Sequence, residues 1–359
     1  MPERTATDLF PARLVQFPPA AEGRSATFYL AAEEYVAQHL DFDTVGAYLF
    51  TWQLAPTVVM GRNQVAHQEI DLDFCRREGI DVVRRKSGGG AIFADERNIM
   101  TSLVTGPGSV EPIFQAYAAA VSRALRTLGA DTTVSGRNDI VLNYTRDDVE
   151  CSGKICGNAF YHLAERNIVH GTMLYDTNPR LMQGALHPDV GKLQAAGVKS
   201  VRSRVALLKD VLDISVDELR TSLATLLTAD AVTLTASDVE AIEEIERGYR
   251  SEDFVYGRHA RLDTSVSRRI EGVGTVGVSV SLRNGIVEEI GLTGDFFQPA
   301  GDAEEQFRKA FVGHPLTPSA IRRCIADHHP ERSIRNLAAD ALLDLLSGGT
   351  SPQQNDINN

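Results

Sequence analysis

Three consecutive glycines, Gly88 to Gly90, stand between two apolar runs, IDVVRR (80–85) and AIF (91–93). Glycine loses more backbone entropy on folding than any other residue. A chain keeps three in a row where the backbone takes unusual dihedrals or comes very close to a ligand. Arg84 and Arg85 lie just before them. Backbone N–H groups without side chains, set beside guanidinium forks, form an anion site suited to phosphate. The flanks predict a strand before the loop and a strand after it. It is not a P-loop, because Gly153-Lys154 lacks the upstream Gly and the following Ser or Thr of GxxxxGK[ST]. Gly272, Gly274 and Gly277 do satisfy GxGxxG, but the residues that follow, VSVSL, alternate as a strand. A dinucleotide fingerprint needs a helix there, so that site is rejected.

The wider composition narrows the partner. The chain has 359 residues, 48 acidic and 36 basic, for a net charge of −12. That sign argues against a general nucleic-acid binder, which needs a basic face to displace counterions. It leaves room for one local basic pocket. No apolar run approaches the roughly 20 residues of a membrane span. The N-terminus, MPERTATDLF, has no basic-then-apolar signal pattern. Four cysteines are too few for a disulfide scaffold, and Cys151 and Cys156 fit neither CxxC nor a zinc knuckle. The expectation is a soluble, cytoplasmic, disulfide-free protein of about two domains.

The periodicities alternate between helix and strand. Residues 26–40 read as an amphipathic helix, 45–52 and 56–61 as strands, 71–79 as a helix ending at Gly79, and 80–85 as a strand. Phe114, Tyr117, Val121, Leu125 and Leu128 mark a helix stopped by Gly129. Residues 149–162 and 167–176 read as strands, with helices near 216–228 and 237–249. The stretch 249–258, YRSEDFVYGR, is aperiodic and reads as a linker. It divides a domain over 1–248 from a small one over 259–347, with a disordered polar tail over 348–359. In the small domain Val276, Val278, Val280 and Leu282 alternate before an Asn284-Gly285 hairpin turn. Thr317-Pro318 opens a helix, and a last helix is expected over 331–346. The fold class is α+β.

Four further motifs carry chemistry. In SGRNDIVLN, Arg137, Asn138 and Asp139 place a guanidinium, an amide and a carboxylate in a row. They suit phosphate, base or Mg²⁺, and equally a polar turn. Lys154 sits between glycines in an apolar stretch, where its charge needs a partner. It suits a ligand anion or charge developing at a carbonyl, or an edge-strand lysine that snorkels. His170, in HGTMLYD, reads on its own as a hydrogen-bonded core histidine. Lys199, Arg202 and Arg204 crowd together in an acidic chain, a pattern usually found on a solvated surface.

In this order and spacing, RRKSGGGAIF, SGRNDIVLN, GKICGNAF, HGTMLYD and KSVRSRV resemble the lipoate–protein ligase A family. FYLAAEEYV and PTVVMGRNQ are similar to that family's opening helix and second strand. DFVYGR and GLTGDFF are similar to its accessory domain. The resemblance runs from about Phe28 to Leu346. It implies a biotin/lipoate-ligase-like α+β catalytic domain with a small C-terminal α+β domain. It also implies a two-step reaction. Lipoate and Mg-ATP give lipoyl-AMP and pyrophosphate, and the lipoyl group then passes to a lysine of an apo carrier. The implied carriers are lipoyl domains of 2-oxoacid dehydrogenase complexes and the glycine cleavage H protein. No nucleic acid or membrane partner is implied, and a monomer is expected.

Carried over by position, the resemblance makes Lys154 the catalytic residue, bridging the lipoyl carbonyl and the α-phosphate. It assigns ATP and the adenylate to Arg85, Ser87, Gly88, Gly89, Gly90, Ala91, Ile92, Phe93, Asn98, Asn138, Asp139, His170, Gly171, Thr172 and Arg202, with Asp139 the candidate Mg²⁺ ligand. The segment around Lys199, Arg202 and Arg204 corresponds to an adenylate cover that excludes water. Two positions depart from the family. Ala94 stands where many members have His, and Cys156 where Ser is frequent. The cysteines raise a rival reading, an ATP-independent octanoyl or lipoyl transferase with a thiolate nucleophile. A non-catalytic lipoate-binding protein is a second rival. Biotin ligase is weaker, since no GRGRxG-type loop is present.

Overall fold

The computed structural model describes residues 9–135, 139–146, 148–187, 205–256, 264–299 and 301–348. The chain forms two units by its internal packing: Met1–Met60 with Ala66–Lys86 and Ala91–Gly257, and Gly61–Val65 with Ser87–Gly90 and Arg258–Asn359.

The first unit is built on β1 (Ala12–Gln16), β2 (Ala47–Trp52), β3 (Thr57–Met60), β4 (Asp81–Arg84), β5 (Ile92–Ala94), β6 (Asn98–Thr105), β7 (Thr132–Ser135), β8 (Asp139–Arg146), β9 (Val149–Leu163), β10 (Arg166–Leu174) and β11 (Thr228–Thr233). Eight of these form one sheet in the order β11-β1-β2-β6-β10-β9-β8-β7, and β4-β3-β5 form a small second sheet. Strand β6 is buried along its whole length, which suits its central place.

The register fixes what shares a face. One row runs across the large sheet through Trp52, Met100, Thr172, Gly157 and Asp139. The next row on that face holds Phe50, Ser102, His170 and Ala159. Helix α1 (Ala26–His39) packs in one apolar cluster with Phe50, Trp52 and Met100. The opposite face carries Thr51, Thr101, Gly171 and Asn158. There Tyr117 of α3 (Val110–Thr127) shares a hydrogen bond with Thr101. Helix α2 (Leu72–Glu78) has the expected ends, an Asp71 cap and a left-handed Gly79.

Helix α1 differs from the amphipathic expectation. It is buried from Ala26 to Ala37, including Glu33 and Glu34. Its outer side is covered by a later helix, which places Glu246 within hydrogen-bond reach of Thr27 (2.7 Å) and brings the Tyr249 hydroxyl to Glu34.

The stretch read as a linker is helical through residue 256. Beyond α4 (Pro179–Ala185) and α5 (Val216–Leu227), α6 runs Ala236–Arg250 and α7 runs Glu252–Tyr256. Tyr249 and Val255 are buried. Ser251 closes α6, and its hydroxyl accepts from the Phe254 N–H at 3.2 Å, so the break interrupts the periodicity without ending the unit.

The second unit has an antiparallel sheet of β12 (Thr264–Ile270), β13 (Gly274–Arg283) and β14 (Ile286–Gly294), with α8 (Ala303–Phe311), α9 (Pro318–His328) and α10 (Ala339–Gly348). Asn284 and Gly285 both take positive φ at the hairpin, as a type I′ turn requires. The expected helix over 331–346 is two pieces, a 3₁₀ turn at Pro330–Ser333 and α10. Asn336 takes φ +61 between them. This unit also includes two loops from early in the chain. The Gly294 N–H donates to Asn63 O at 2.8 Å, and the Gly89 N–H donates to Phe296 O at 3.3 Å. A division by chain position alone misses both. Among the described residues no helix is long and apolar enough to cross a membrane.

Gly171 makes room for side chains of the neighbouring strand and of α3. A Cβ there would lie 2.1 Å from Asn158 Oδ1, 3.0 Å from the Tyr117 hydroxyl and 3.2 Å from Cys156 Sγ. Gly171→Ala is expected to cost about 1–3 kcal/mol through overpacking. That corresponds to a melting point lower by several degrees. Thermal unfolding checks it, and an unchanged melting point would show that the layer has room to spare.

Candidate active site

A β-bulge positions the central cation. Ile140 pairs with Cys156 but Val141 pairs with Lys154, which leaves Ile155 as the extra residue of β9. Lys154 Nζ then lies 2.7 Å from Asp139 Oδ1, with both side chains about one-third exposed (38% and 34%). The glycines beside Lys154 have distinct steric reasons. A Cβ on Gly157 would come within 2.7 Å of Lys154 Nζ. A Cβ on Gly153 would come within 2.8 Å of the Ala206 nitrogen, whose N–H donates to the Lys154 carbonyl at 3.0 Å. The lysine side chain thus lies across its own strand, its charge answered by one carboxylate and open to solvent.

On the same sheet face lies a buried polar chain. Trp52 Nε1 donates to Ser102 Oγ (3.0 Å), and Ser102 donates to Glu33 (2.6 Å). His170 Nδ1 stands 3.0 and 3.1 Å from the two Glu33 oxygens. Glu33 has no exposure to solvent. Arg85 donates to Val59 O at 2.9 Å. Burial lowers its pKa to about 10, while the charge of Glu33 pulls the other way, so it stays a cation at neutral pH. The adjacent Glu34 meets Lys86 Nζ at 2.6 Å, and the Tyr249 hydroxyl donates to it. Sequence motifs located Arg85 and His170 but not Glu33, Glu34, Ser102, Trp52 or Tyr249. One signal was available: two adjacent acids in the apolar run FYLAAEEYV (28–36), which on a buried helix must find partners inside.

The glycine loop differs from a row of unencumbered donors. Ser87 is fully buried, and its carbonyl accepts from the Arg62 N–H at 2.9 Å. A Cβ on Gly88 would lie 2.2 Å from Phe296 O, the same oxygen that takes the Gly89 N–H. Gly89 itself needs its glycine, at φ +90. Close backbone approach is therefore real, and what approaches is a protein carbonyl. Gly90 and Ala91 are half-buried. Ile92 and Phe93 point to opposite faces of the small sheet, Ile92 against the cluster of Trp52 and Met100, Phe93 into that of Cys75 and Met182.

Arg84, read as a second phosphate ligand, is fully buried and donates through Nε and Nη2 to the Val255 carbonyl (3.0 and 2.8 Å). It braces α7. Asn98 is fully buried too. Its amide donates to Asp176 O and accepts from the Asp95 N–H, both at 2.9 Å, tying the turn before β6 to the end of β10. Gly171 faces α3, whereas Thr172 shares the row of Gly157 and Asp139. Asn138 and Arg202, with Arg137, Lys199 and Arg204, fall outside the described residues.

Cys156 is fully buried, its Sγ hydrogen-bonded to Asn158 Oδ1 at 3.2 Å. Burial pushes its thiol up to about 12, opposite to what a nucleophile needs. Among the described residues no group of three or more acidic, histidine or cysteine side chains could hold a metal. Asp139 is a single carboxylate, and a magnesium ion bound mainly by phosphate oxygens needs only one or two.

Two family models match in chain order. One, described as the lipoyl protein ligase A/B catalytic domain, covers residues 25–228. The other, the bacterial lipoate protein ligase C-terminus, covers residues 260–346. A lipoate–protein ligase of Bacillus subtilis, LplJ, is 32% identical over 328 residues, 88% of this chain and 95% of the relative. The fold matches P. falciparum LipL1, solved in complex with lipoate, with a TM-score of 0.71 at 15% identity, covering 94% of this chain and 98% of that one. A lipoate–protein ligase A bound with ATP matches at 25% identity and a TM-score of 0.56, covering 68% of this chain and 98% of that one. With both models matched in order and a relative aligned over nearly its full length, the chain belongs to the lipoate–protein ligase family.

Proposed function

We propose that this ligase is ATP-dependent and AMP-forming. The lipoate carboxylate attacks the α-phosphorus of ATP, pyrophosphate leaves, and lipoyl-AMP stays bound. The ε-amine of a carrier lysine then attacks the lipoyl carbonyl, and AMP leaves. The observation that carries this reading is the partly exposed Lys154–Asp139 pair at the end of a row whose other end is Trp52.

Each step concentrates negative charge at one place, first on the α-phosphate and then on the acyl oxygen. A lysine on a bulged strand, free of a Cβ neighbour at Gly157, can turn from Asp139 toward both oxygens. Such electrostatic stabilisation acts where charge develops. Arg85 adds a fixed positive charge, and Thr172 lines the same face. Asp139 provides one carboxylate for the Mg²⁺ that accompanies ATP, whose chemistry is to neutralise the triphosphate. The acceptors implied by the resemblance are apo lipoyl domains of 2-oxoacid dehydrogenase complexes and the glycine cleavage H protein, with the protein acting as a cytoplasmic monomer.

The rival transferase needs a low-pKa thiol. Cys156 is buried with its thiol pushed up, which weighs against it. Cys156→Ala is therefore expected to keep ATP-dependent labelling of an apo lipoyl domain within about twofold, at a modest loss of stability from the small cavity. Labelling from an octanoyl carrier protein without ATP, lost in that variant, would establish the transferase instead.

Lys154→Ala is expected to lower lipoate-dependent ATP–pyrophosphate exchange by about 10²–10³-fold or more. Its melting point should stay close to that of the parent, because the side chain is more than one-third exposed. Exchange at the parental rate would remove Lys154 from the mechanism.

A further inference from the structure

The bulge in β9 decides which face Lys154 serves. Gly157 pairs with Asp139 and Cys156 with Ile140, so strict alternation would put residue 154 on the Cys156 side of the sheet. The extra residue, Ile155, reverses the alternation, and Lys154 pairs with Val141 on the Asp139 face. The backbone at Lys154 is held from both edges. Strand β8 lies on one side. On the other, Val205 forms a parallel bridge with Lys154, whose carbonyl takes the Ala206 N–H at 3.0 Å. The side chain has no such bracing. It passes over Gly157 to Asp139, its ion-pair partner among the described residues.

The space above Gly157 has a single occupant. Apart from its chain neighbours, the described atoms within 4 Å of a Cβ at Gly157 are Lys154 Nζ at 2.7 Å and Lys154 Cε at 2.9 Å. The other close-approach glycines differ. A Cβ on Gly153 or Gly88 would meet backbone, and one on Gly171 would meet Asn158 Oδ1. Gly157 is also absent from the glycines with positive φ, so its backbone suits alanine. Neither a dihedral nor a fixed neighbour requires glycine there for folding. What it accommodates is the free end of one lysine.

We propose that Gly157 is a positioning residue for Lys154. Its missing Cβ leaves the path along which the ammonium reaches Asp139 and turns to the reacting oxygens. The turn to those oxygens rests on the ligase reading, whereas the placing of the side chain does not. A methyl group at 157 pushes the ammonium off this path, because Nζ and Cε can move and the strand cannot.

The test is Gly157→Ala, made in the parent protein and in Lys154→Ala. The first readout needs no activity. Trace acylation of amines by acetic anhydride, resolved by peptide mass spectrometry, compares Lys154 with the exposed Lys309 of α8. In Gly157→Ala the relative labelling of Lys154 is expected to rise about twofold to fivefold, the worth of one exposed ion pair. The second readout is lipoate-dependent pyrophosphate exchange. It is expected to fall about tenfold in the parent background and to change less than about twofold in Lys154→Ala, as coupling between the two positions requires. The melting point is expected to hold or rise slightly in both backgrounds, because alanine at a compatible dihedral restricts the unfolded chain. Unchanged labelling, exchange at the parental rate, equal fold losses in both backgrounds, or a clear drop in melting point overturns the proposal. A parent protein that performs no exchange, with labelling raised in Gly157→Ala, would sink the ligase reading and leave the placing of Lys154 by Gly157 standing.

Discussion

A carboxylate with no access to water, Glu33, is the constraint around which the catalytic unit is organised. An isolated buried charge is too costly to keep, so its partners must be supplied with good geometry. The chain supplies them from three strands and a loop stem: Ser102 on β6 with Trp52 on β2 behind it, His170 on β10, and the charge of Arg85. Each partner fixes a separation. Helix α1 cannot slide along the sheet without stranding the carboxylate, and removing one member of such a pair typically costs about 3–5 kcal/mol. The same contacts hold the face that carries Thr172, Gly157 and Asp139, so the order of the candidate site is inherited from a buried acid.

Glycine plays the complementary part. Gly153 admits the backbone at Ala206, Gly157 admits the Lys154 side chain, Gly171 admits the Asn158 side chain and the Tyr117 hydroxyl of α3, and Gly88 admits the Phe296 carbonyl. All four are close-approach positions, and each approaching group is different. A glycine in the sequence announces that something comes near. It does not say whether that something is a ligand, a side chain or another stretch of backbone.

This difference governs how much could be read before the structure. Strand and helix positions were largely legible, because burial on one face imprints its period on the residues: Val276, Val278 and Val280 are buried alternately, and Ile113, Phe114, Tyr117, Val121 and Leu125 share a helix side. The helical break at Ser251 was not legible, since two short helices leave no sustained period. Motifs found Lys154, Asp139, Arg85 and His170, whose residue types are unusual for their surroundings. They could not separate Arg84 from Arg85. The two are adjacent, Arg84 ending β4 and Arg85 following it, and they point to different partners, one to a backbone carbonyl at Val255 and one toward Glu33. Partners distant in sequence, such as Glu33 with His170, emerge only once register is known.

The cations of the candidate site are each set against an acid: Lys154 by Asp139, Lys86 by Glu34, and Arg85 in the field of Glu33. Pairing keeps each cation oriented, and it sets a threshold. An incoming anion must compete with a carboxylate already in contact, so a single weak charge gains little. On the ligase reading proposed above, a triphosphate brings several charges at once and displaces Asp139, itself one-third exposed, more readily than the buried Glu33 and Glu34. Exposure orders the exchange, because a pair one-third open to water is loosely held and one within the core is not. In a chain whose net charge is −12, a few counterbalanced cations can therefore favour a polyvalent anion without turning the surface into a general anion trap.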